Sequence, residues 1–187
     1  MRLLEIGYSP SGVMAELRSS DEYFEYRQVA IVDKDGRVAA HTGEHTRPWT
    51  GHAVGEGYAV FGNHLDGEHV LDAMEEAFER TDGGDLDDRL LTTLEAGRDA
   101  GGQQAAFPDW PNQDRSAALI VYEDEDYAVV DLRVDSHETA EGIAALRCLW
   151  EEYRPYIPWY YQTRVKDPPN APSHQEFLAQ QRALAGE

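Results

Sequence analysis

The arrangement of hydrophobic patterns along the chain restricts its fold more than any other feature of the sequence. Two consecutive stretches carry apolar residues at three- and four-residue steps, the spacing of amphipathic helices. We predict that Asp66 caps the first helix, that Asp82–Gly84 separates the two, and that the second ends near Gly101. The apolar positions are Val70, Leu71, Met74, Ala77, Phe78, Leu86, Leu90, Leu91 and Leu94.

Strand-like segments lie on both sides of this helical region. The predicted strands are Tyr26–Asp33, Arg37–Gly43, Gly57–Asn63, Ser116–Glu123 and Tyr127–Asp135. The first two flank an Asp-Gly turn and predict a β-hairpin, whereas Glu44–Glu56 is predicted to be a glycine-rich loop. Runs of strands alternating with runs of helices favour an α+β fold with antiparallel sheets over a doubly wound parallel sheet.

Helical patterns also begin and close the main part of the chain. The start predicts a helix pair, with Ser9 as a cap before Pro10, and a last amphipathic helix is predicted over Glu138–Tyr153. Pro155 ends that helix. We therefore predict one α+β domain over residues 1–154 and an aromatic, proline-rich tail with a short helix over residues 155–187.

Charge and composition narrow the partners. The 187 residues contain 36 Asp and Glu but 16 Lys and Arg, for a formal charge of −20. Such an acidic surface repels phosphate groups, so neither a nucleic acid nor a membrane is expected as a partner. The acidity fits a salt-adapted host or an ordinary acidic protein. No apolar run is long enough to span a bilayer, and Cys148 is the single cysteine, so a cytoplasmic location is predicted.

Histidine and cysteine provide no clear catalytic or metal site. His41 and His45 are four residues apart, but they span a strand end and a loop, where this spacing does not place side chains together. We predict neither a metal site nor a cofactor, because the common binding motifs are absent. Cys148 adjoins Leu149 and Trp150 on the last predicted helix, which favours a buried structural thiol over a nucleophile.

Two groups of polar residues are candidate binding residues. Asp131, Arg133, Asp135 and His137 occupy alternate positions and would share one face of a strand. They either form an internal Asp-Arg ion pair that holds the sheet to a helix or belong to a binding cleft, because an unpaired buried charge is costly. Asn63 follows Gly62 at a predicted strand end, where its amide either donates to a developing oxyanion or serves the geometry of the turn.

Several motifs together resemble the uncharacterised bacterial and archaeal family called domain of unknown function 1028, which is placed among Ntn-hydrolase-like proteins. The motifs are YRQVAIVDKDGRVAAHTG, WTGHAVGEGYAVFGNHLDGEHVLDAMEEAFE, LLTTLEAGRDAGG, SAALIVY and YAVVDLRVDSHETAEGIAALRCLWEEY. They run in order from about Gly7 to Pro172. The resemblance implies an αββα sandwich of antiparallel sheets covered by helices, and amide-bond hydrolysis as the activity.

The same resemblance raises a question about the nucleophile. Ntn hydrolases use a terminal Thr, Ser or Cys whose free α-amine is the base. Family members begin with strands before the helix that precedes YRQ, whereas this chain begins at Met1-Arg2 within that helix, so the sandwich is expected to be incomplete at the N-terminus. A truncated gene product, a partner chain carrying the strands, or loss of the catalytic half would each explain this. Open sheet edges then predict a homo-oligomer or a partner chain.

The resemblance thus implies an Ntn-hydrolase-like protein with a small amide-containing ligand, but the chain carries no identifiable terminal nucleophile, so whether it is an enzyme stays open. The alternative is a non-catalytic assembly or small-molecule-binding protein. In that case the Trp49 loop and the aromatic tail, Trp159, Tyr160 and Tyr161, would form an oligomer interface, because aromatic residues often anchor interfaces.

Overall fold

A computed structural model describes residues 2–104, 114–136 and 141–185 of the chain. The chain divides into two compact units, Met1–Asp114 and Arg115–Glu187. Both contain helices together with short antiparallel two-stranded sheets, which confirms the α+β class. The predicted domain boundary after residue 154 stays a prediction, as does the four-layer sandwich. No helix in the described ranges is both long and apolar enough to cross a membrane.

The first unit opens with the predicted helix pair, α1 (Arg2–Glu5) and α2 (Pro10–Ser20). Ser9 caps α2, and its hydroxyl accepts a hydrogen bond from the Gly12 amide at 3.1 Å. Pro10 occupies the first helical position, where a missing N–H costs nothing. A single turn of 3₁₀-helix, Phe24–Tyr26, then leads into the first strand.

Two β-hairpins follow, and they pack against each other. Their strands are β1 (Gln28–Val32), β2 (Val38–Thr42), β3 (Thr50–Gly55) and β4 (Tyr58–Asn63). The β1–β2 hairpin confirms the prediction, and Gly36 in its turn has φ +76°, a backbone conformation that favours glycine. The prediction of a loop before Gly57 was wrong over β3, which pairs with β4 along its whole length.

The strand β3 contains two glycines that leave room for aromatic rings, and among its six residues Thr50 and Val54 are β-branched. A Cβ at Gly51 would lie 2.6 Å from the Trp49 ring, and one at Gly55 would lie 2.1 Å from the Tyr58 ring. The two rings therefore occupy the space that side chains normally fill on a strand. This close approach explains why a segment with two glycines still forms half of a hairpin.

Both predicted central helices are present, as α3 (Glu68–Arg80) and α4 (Leu86–Asp99), and they pack together. Gly97 allows close contact, because a Cβ there would lie 2.8 Å from Met74. The predicted Asp66 cap was wrong: the N-cap position is Gly67, and Asp66 lies 3.3 Å from the His69 imidazole. The buried core beside α3 consists of Leu65, Val70 and Leu71, with Trp49, Met74 and Ala100 packed on it.

The second unit is built on a hairpin of β5 (Ala117–Tyr122) and β6 (Ala128–Val134), with α5 (Gly142–Tyr153) packed against it. Both strands and the helix were predicted. The buried side chains in these elements are Leu119, Val121, Val129, Val130, Ile143, Leu146 and Trp150. Cys148 is exposed on α5, so the prediction of a buried thiol was wrong; the core-facing positions of the helix are Leu146 and Trp150.

The C-terminal part of this unit is a series of short helical turns followed by a longer helix. Its elements are α6 (Tyr156–Trp159), a π-helical turn (Tyr160–Val165), a 3₁₀ turn (Pro168–Asn170) and α7 (His174–Ala185). The Trp159 indole donates to the carbonyl of Pro172 at 2.9 Å, and the Tyr161 hydroxyl donates to the carbonyl of Ala128 at 2.8 Å. These bonds tie the aromatic residues to the rest of their own unit.

Candidate functional site

A cavity of about 400 Å³ lies in the first unit, where the start of β1, the loop between β2 and β3, and β4 come together. Its lining residues are Tyr26, Arg27, Gln28, His45, Thr46, Arg47, Phe61 and Asn63. Pockets of this size hold small molecules in other proteins. We refer to this cavity as the hairpin pocket.

Backbone hydrogen bonds hold the loop of the hairpin pocket on both sides. The amide of His45 donates to the carbonyl of Glu25 at 2.9 Å, and the amide of His64 donates to the carbonyl of Arg47 at 2.9 Å. Gly43 begins the loop, and a Cβ there would lie 2.2 Å from the Glu25 carbonyl oxygen. The loop is therefore fixed to the segment before β1 and to the residue after β4.

The Gln28 side chain joins the two hairpins beneath the pocket. Its Nε2 donates to the carbonyls of Gly51 and Gly62, both at 2.9 Å, and lies 3.1 Å from Thr42 Oγ1. Because these two backbone partners only accept, the amide orientation of Gln28 is determined. Its Oε1 then accepts a hydrogen bond from Asn63 Nδ2 at 3.4 Å, so Gln28 positions the Asn63 amide.

The charge of the pocket is opposite to that of the protein. Its lining contains two arginines but no Asp or Glu, in a chain with 36 acidic residues. Arg27 Nε lies 2.9 Å from Asp21 Oδ2, and the hydrogen bond from Arg27 lowers the pKa of Asp21. Arg47, in contrast, has no side-chain partner among the residues that the structure describes. One guanidinium is therefore available to a ligand.

Aromatic rings supply the apolar part of the lining. The Tyr26 and His45 rings lie 4.7 Å apart between centroids. Tyr26 is 59% exposed and Phe61 is 44% exposed, which leaves aromatic surface that a ligand can cover. The pocket thus combines one free cation, an oriented amide and aromatic surface.

The two histidines four residues apart have separate neighbours. His41 is buried, stacks on Phe24 at 4.2 Å, and its Nδ1 lies 3.1 Å from the Arg18 guanidinium, whereas His45 lies on Tyr26. No group of three or more His, Cys, Asp or Glu side chains suited to a metal ion occurs among residues 2–104, 114–136 and 141–185.

The other predicted binding residues lie in the second unit. Asp131 and Arg133 are exposed on β6, and Asp135 follows the strand, so the predicted shared face is present. Arg133 Nε donates to Asp135 Oδ1 at 2.9 Å, and both side chains are mostly exposed. The pair runs along its own strand rather than from the sheet to a helix. His137 lies outside the described residues, and the binding role of this row stays a prediction.

Of the pocket residues, sequence reasoning selected Asn63 and missed Arg27, Arg47 and the aromatic lining. A signal was present in the sequence: residues 45–65 contain a single acidic residue, Glu56, in a chain where about one residue in five is acidic. Such a local scarcity of acids in an acidic protein was the signal by which the segment that contains Arg47 could have been selected as a candidate site.

Comparison with known proteins places the chain in a family. The model of the "Family of unknown function (DUF1028)" matches residues 1–145. Protein SPO2555 from Silicibacter pomeroyi, whose crystal structure carries the same family assignment, is 32% identical over 81% of this chain, with a TM-score of 0.70. The chain spans 61% of the length of that protein. No curated protein matches the sequence. The chain therefore belongs to the DUF1028 family.

Proposed function

We propose that this protein binds a small amide-containing ligand in the hairpin pocket and takes part in hydrolysis of the amide bond. The observation that carries the binding part is the oriented Asn63 amide beside the free cation Arg47. The resemblance to Ntn-hydrolase-like proteins supports the hydrolytic part.

In this proposal Asn63 serves as the hydrogen-bond donor to the ligand carbonyl. One N–H of its amide donates to Gln28 Oε1, and the second N–H is then available to the carbonyl oxygen of the ligand. Attack of a nucleophile on the carbonyl carbon places negative charge on that oxygen, and the held amide stabilises it without reorganising. The C–N bond then breaks; in the complete hydrolysis the acyl group gains the hydroxyl of one water molecule and the leaving amine gains the proton of that water.

The proposal assigns the nucleophile to none of the residues that line the pocket. Thr46 is the lining residue with an aliphatic hydroxyl, and this hydroxyl donates to the Gly43 carbonyl at 2.7 Å and lies 3.1 Å from Thr50 Oγ1. An Ntn nucleophile is instead a terminal residue whose own amine removes its proton. The pocket residues therefore supply binding and charge stabilisation.

Measured hydrolysis tests this assignment. The full chain is incubated with a panel of small amides, and amine release is followed for wild type, Asn63→Leu and the control Asn170→Leu. Asn170 lies in the second unit and donates to the Asp167 carboxylate. Loss of an oxyanion donor is expected to lower kcat/KM by about 10²–10³-fold in Asn63→Leu. Absence of hydrolysis, or equal rates in Asn63→Leu and wild type, would contradict the proposal.

Exposed apolar side chains in the second unit favour one alternative, a non-catalytic assembly. Ile120 and Tyr122 on β5 are 51% and 56% exposed, and Tyr160 is 46% exposed. Trp49 does not support this alternative, because it packs on the core of its own unit. Light scattering of the full chain separates the two: a stable oligomer without amide hydrolysis would favour assembly.

A further inference from the structure

We infer that the ligand of the hairpin pocket carries a free carboxylate next to its amide, as an N-acylated amino acid or the C-terminal residue of a short peptide does, and that Arg47 binds this carboxylate. The inference rests on the proposed function and names its substrate class. Three features of the pocket, its charge, its number of free cations and its neutral groups, lead to it.

The sign of the ligand charge follows from the lining. The lining has two arginines and no carboxylate, whereas acids outnumber basic residues by 36 to 16 in the whole chain. Other cations in the described part of the chain pair with an acid, as Arg37 does with Asp33 at 2.7 Å and Arg98 does with Asp99 at 2.8 Å. Arg47 lacks such a partner in the described part of the chain. A negatively charged group of the ligand would supply this partner.

The number of free cations favours a single negative charge. Arg27 already holds Asp21 at 2.9 Å, so its charge is compensated before any ligand binds. The hydrogen bond that Arg27 donates to Asp21 in turn raises the pKa of Arg27. Arg47 alone remains, and its planar guanidinium matches a carboxylate through two parallel hydrogen bonds. A dianionic phosphate would keep one uncompensated negative charge, because Arg47 offers a single positive charge.

The neutral groups of the pocket describe the rest of the ligand. The Asn63 amide is held by Gln28 and suits a carbonyl group. Tyr26 and Phe61 present aromatic surface that suits an apolar side chain. A molecule with a carboxylate, an amide and an apolar group fits these three elements, and a cavity of about 400 Å³ holds a molecule of that size.

Binding of two matched ligands tests the inference. Isothermal titration calorimetry compares N-acetyl-L-phenylalanine with its neutral C-terminal amide on the full chain. We expect the acid to bind about 10- to 100-fold more tightly than the amide, which is the usual effect of one charge-assisted contact. If glycyl-L-phenylalanine binds as tightly as the acetylated acid, the ligand is the C-terminal residue of a peptide. If it does not bind, the ligand is an N-acylated amino acid.

Variants assign the preference to Arg47. Arg47→Gln is expected to abolish the preference for the acid, and Arg47→Lys is expected to keep part of it. The control Arg80→Gln removes the same charge from α3, where Arg80 lies 3.7 Å from Glu76, and should leave the preference unchanged. Circular dichroism checks that each variant is folded.

The outcomes separate this inference from the proposed function. Equal affinity for the acid and the neutral amide, an unchanged preference in Arg47→Gln, or tighter binding of phenyl phosphate would each overturn the inference. Amine release is measured separately. If the protein hydrolyses neutral amides and shows no preference for the acid, the proposed function is supported and the inference about the carboxylate is wrong. If the protein binds the acid tightly but hydrolyses no amide, the carboxylate site is supported and the proposed hydrolytic function is wrong.

Discussion

Between the hairpins of the first unit lie amide and hydroxyl side chains, whereas the β5–β6 hairpin of the second unit packs aliphatic side chains against α5. Gln28 in the first unit bonds to the carbonyls of Gly51 and Gly62, and Leu146 in the second unit is 0% exposed. Apolar contacts are non-directional, whereas hydrogen bonds require specific partners. The comparison suggests that the second hairpin provides stability and that the first pair holds side chains in fixed orientations for a ligand.

The largest effect is expected from Leu146→Ala on α5. Removal of a fully buried leucine side chain leaves a cavity, so the free energy of unfolding should fall by about 2–5 kcal/mol. Urea unfolding followed by circular dichroism measures the change. Leu149→Ala on the same helix is the control, because Leu149 is 39% exposed and its loss should cost less than about 1 kcal/mol. Equal losses would show that α5 is not packed as described.

A smaller effect is expected from Gln28→Leu. The variant removes the donor that reaches two backbone carbonyls between the hairpins, so the free energy of unfolding should fall by about 1–3 kcal/mol. Asn63 also loses its acceptor, so we expect the free energy of ligand binding to fall by more than the free energy of unfolding. Gln175→Leu, at an exposed position of α7, is the control. A loss in Gln28→Leu greater than that in Leu146→Ala would reverse the comparison between the units.

Tyr58→Phe tests a polar contact of the first unit through its pH dependence. The Tyr58 hydroxyl donates to Glu79 at 2.9 Å and lies 3.2 Å from the Glu75 carboxylate. Burial, and then the bonds and charges of these two carboxylates, raise the pKa of Tyr58 well above its ordinary value of 10. The folded state therefore keeps this proton at a pH where the unfolded state loses it. The contribution of Tyr58 to stability is complete below about pH 10 and is lost as the pH rises further.

We expect Tyr58→Phe to lower the free energy of unfolding by about 1 kcal/mol at pH 8. Above pH 10 the difference between variant and wild type should shrink, because wild type loses the contribution that the variant never had. Urea unfolding at pH 8 and at pH 11 measures both values. Tyr23→Phe, at a position 55% exposed, is the control. A difference that stays constant with pH would contradict the assigned cause.

Several elements that sequence alone predicted share one property: a repeating hydrophobic pattern that the structure buries on one side. This holds for α3, α4, α5 and β5, whereas the β1–β2 hairpin was predicted with the help of its Asp-Gly turn and every residue of β1 is half-buried or exposed. The strand β3 escaped prediction because its pattern is interrupted by Gly51 and Gly55, whose space is filled by the rings of Trp49 and Tyr58. Contacts between a glycine and a ring leave no periodic signal in the sequence.

The site was harder to predict than the fold, because its residues come from three separate segments. Asn63 was found through its position at a strand end. Arg47 was not, because its place depends on the hydrogen bond from the His64 amide, which joins residues seventeen positions apart. Asp131 and Arg133 were selected from their alternate spacing, which correctly predicts a shared face but does not determine what that face meets.

The smallest effect on stability is expected from Arg133→Gln, which removes the cation from the charged row of the second unit. Arg133 and Asp135 are 67% and 75% exposed, so water screens their attraction and the free energy of unfolding should be unchanged within error. Because the fold is unaffected, this variant tests the predicted binding role directly. We expect the affinity for N-acetyl-L-phenylalanine to be retained, since Arg47 provides the free cation of the pocket. A tenfold loss would instead identify the row as part of the ligand site, and the division between a stabilising hairpin and a ligand-holding pair would no longer stand.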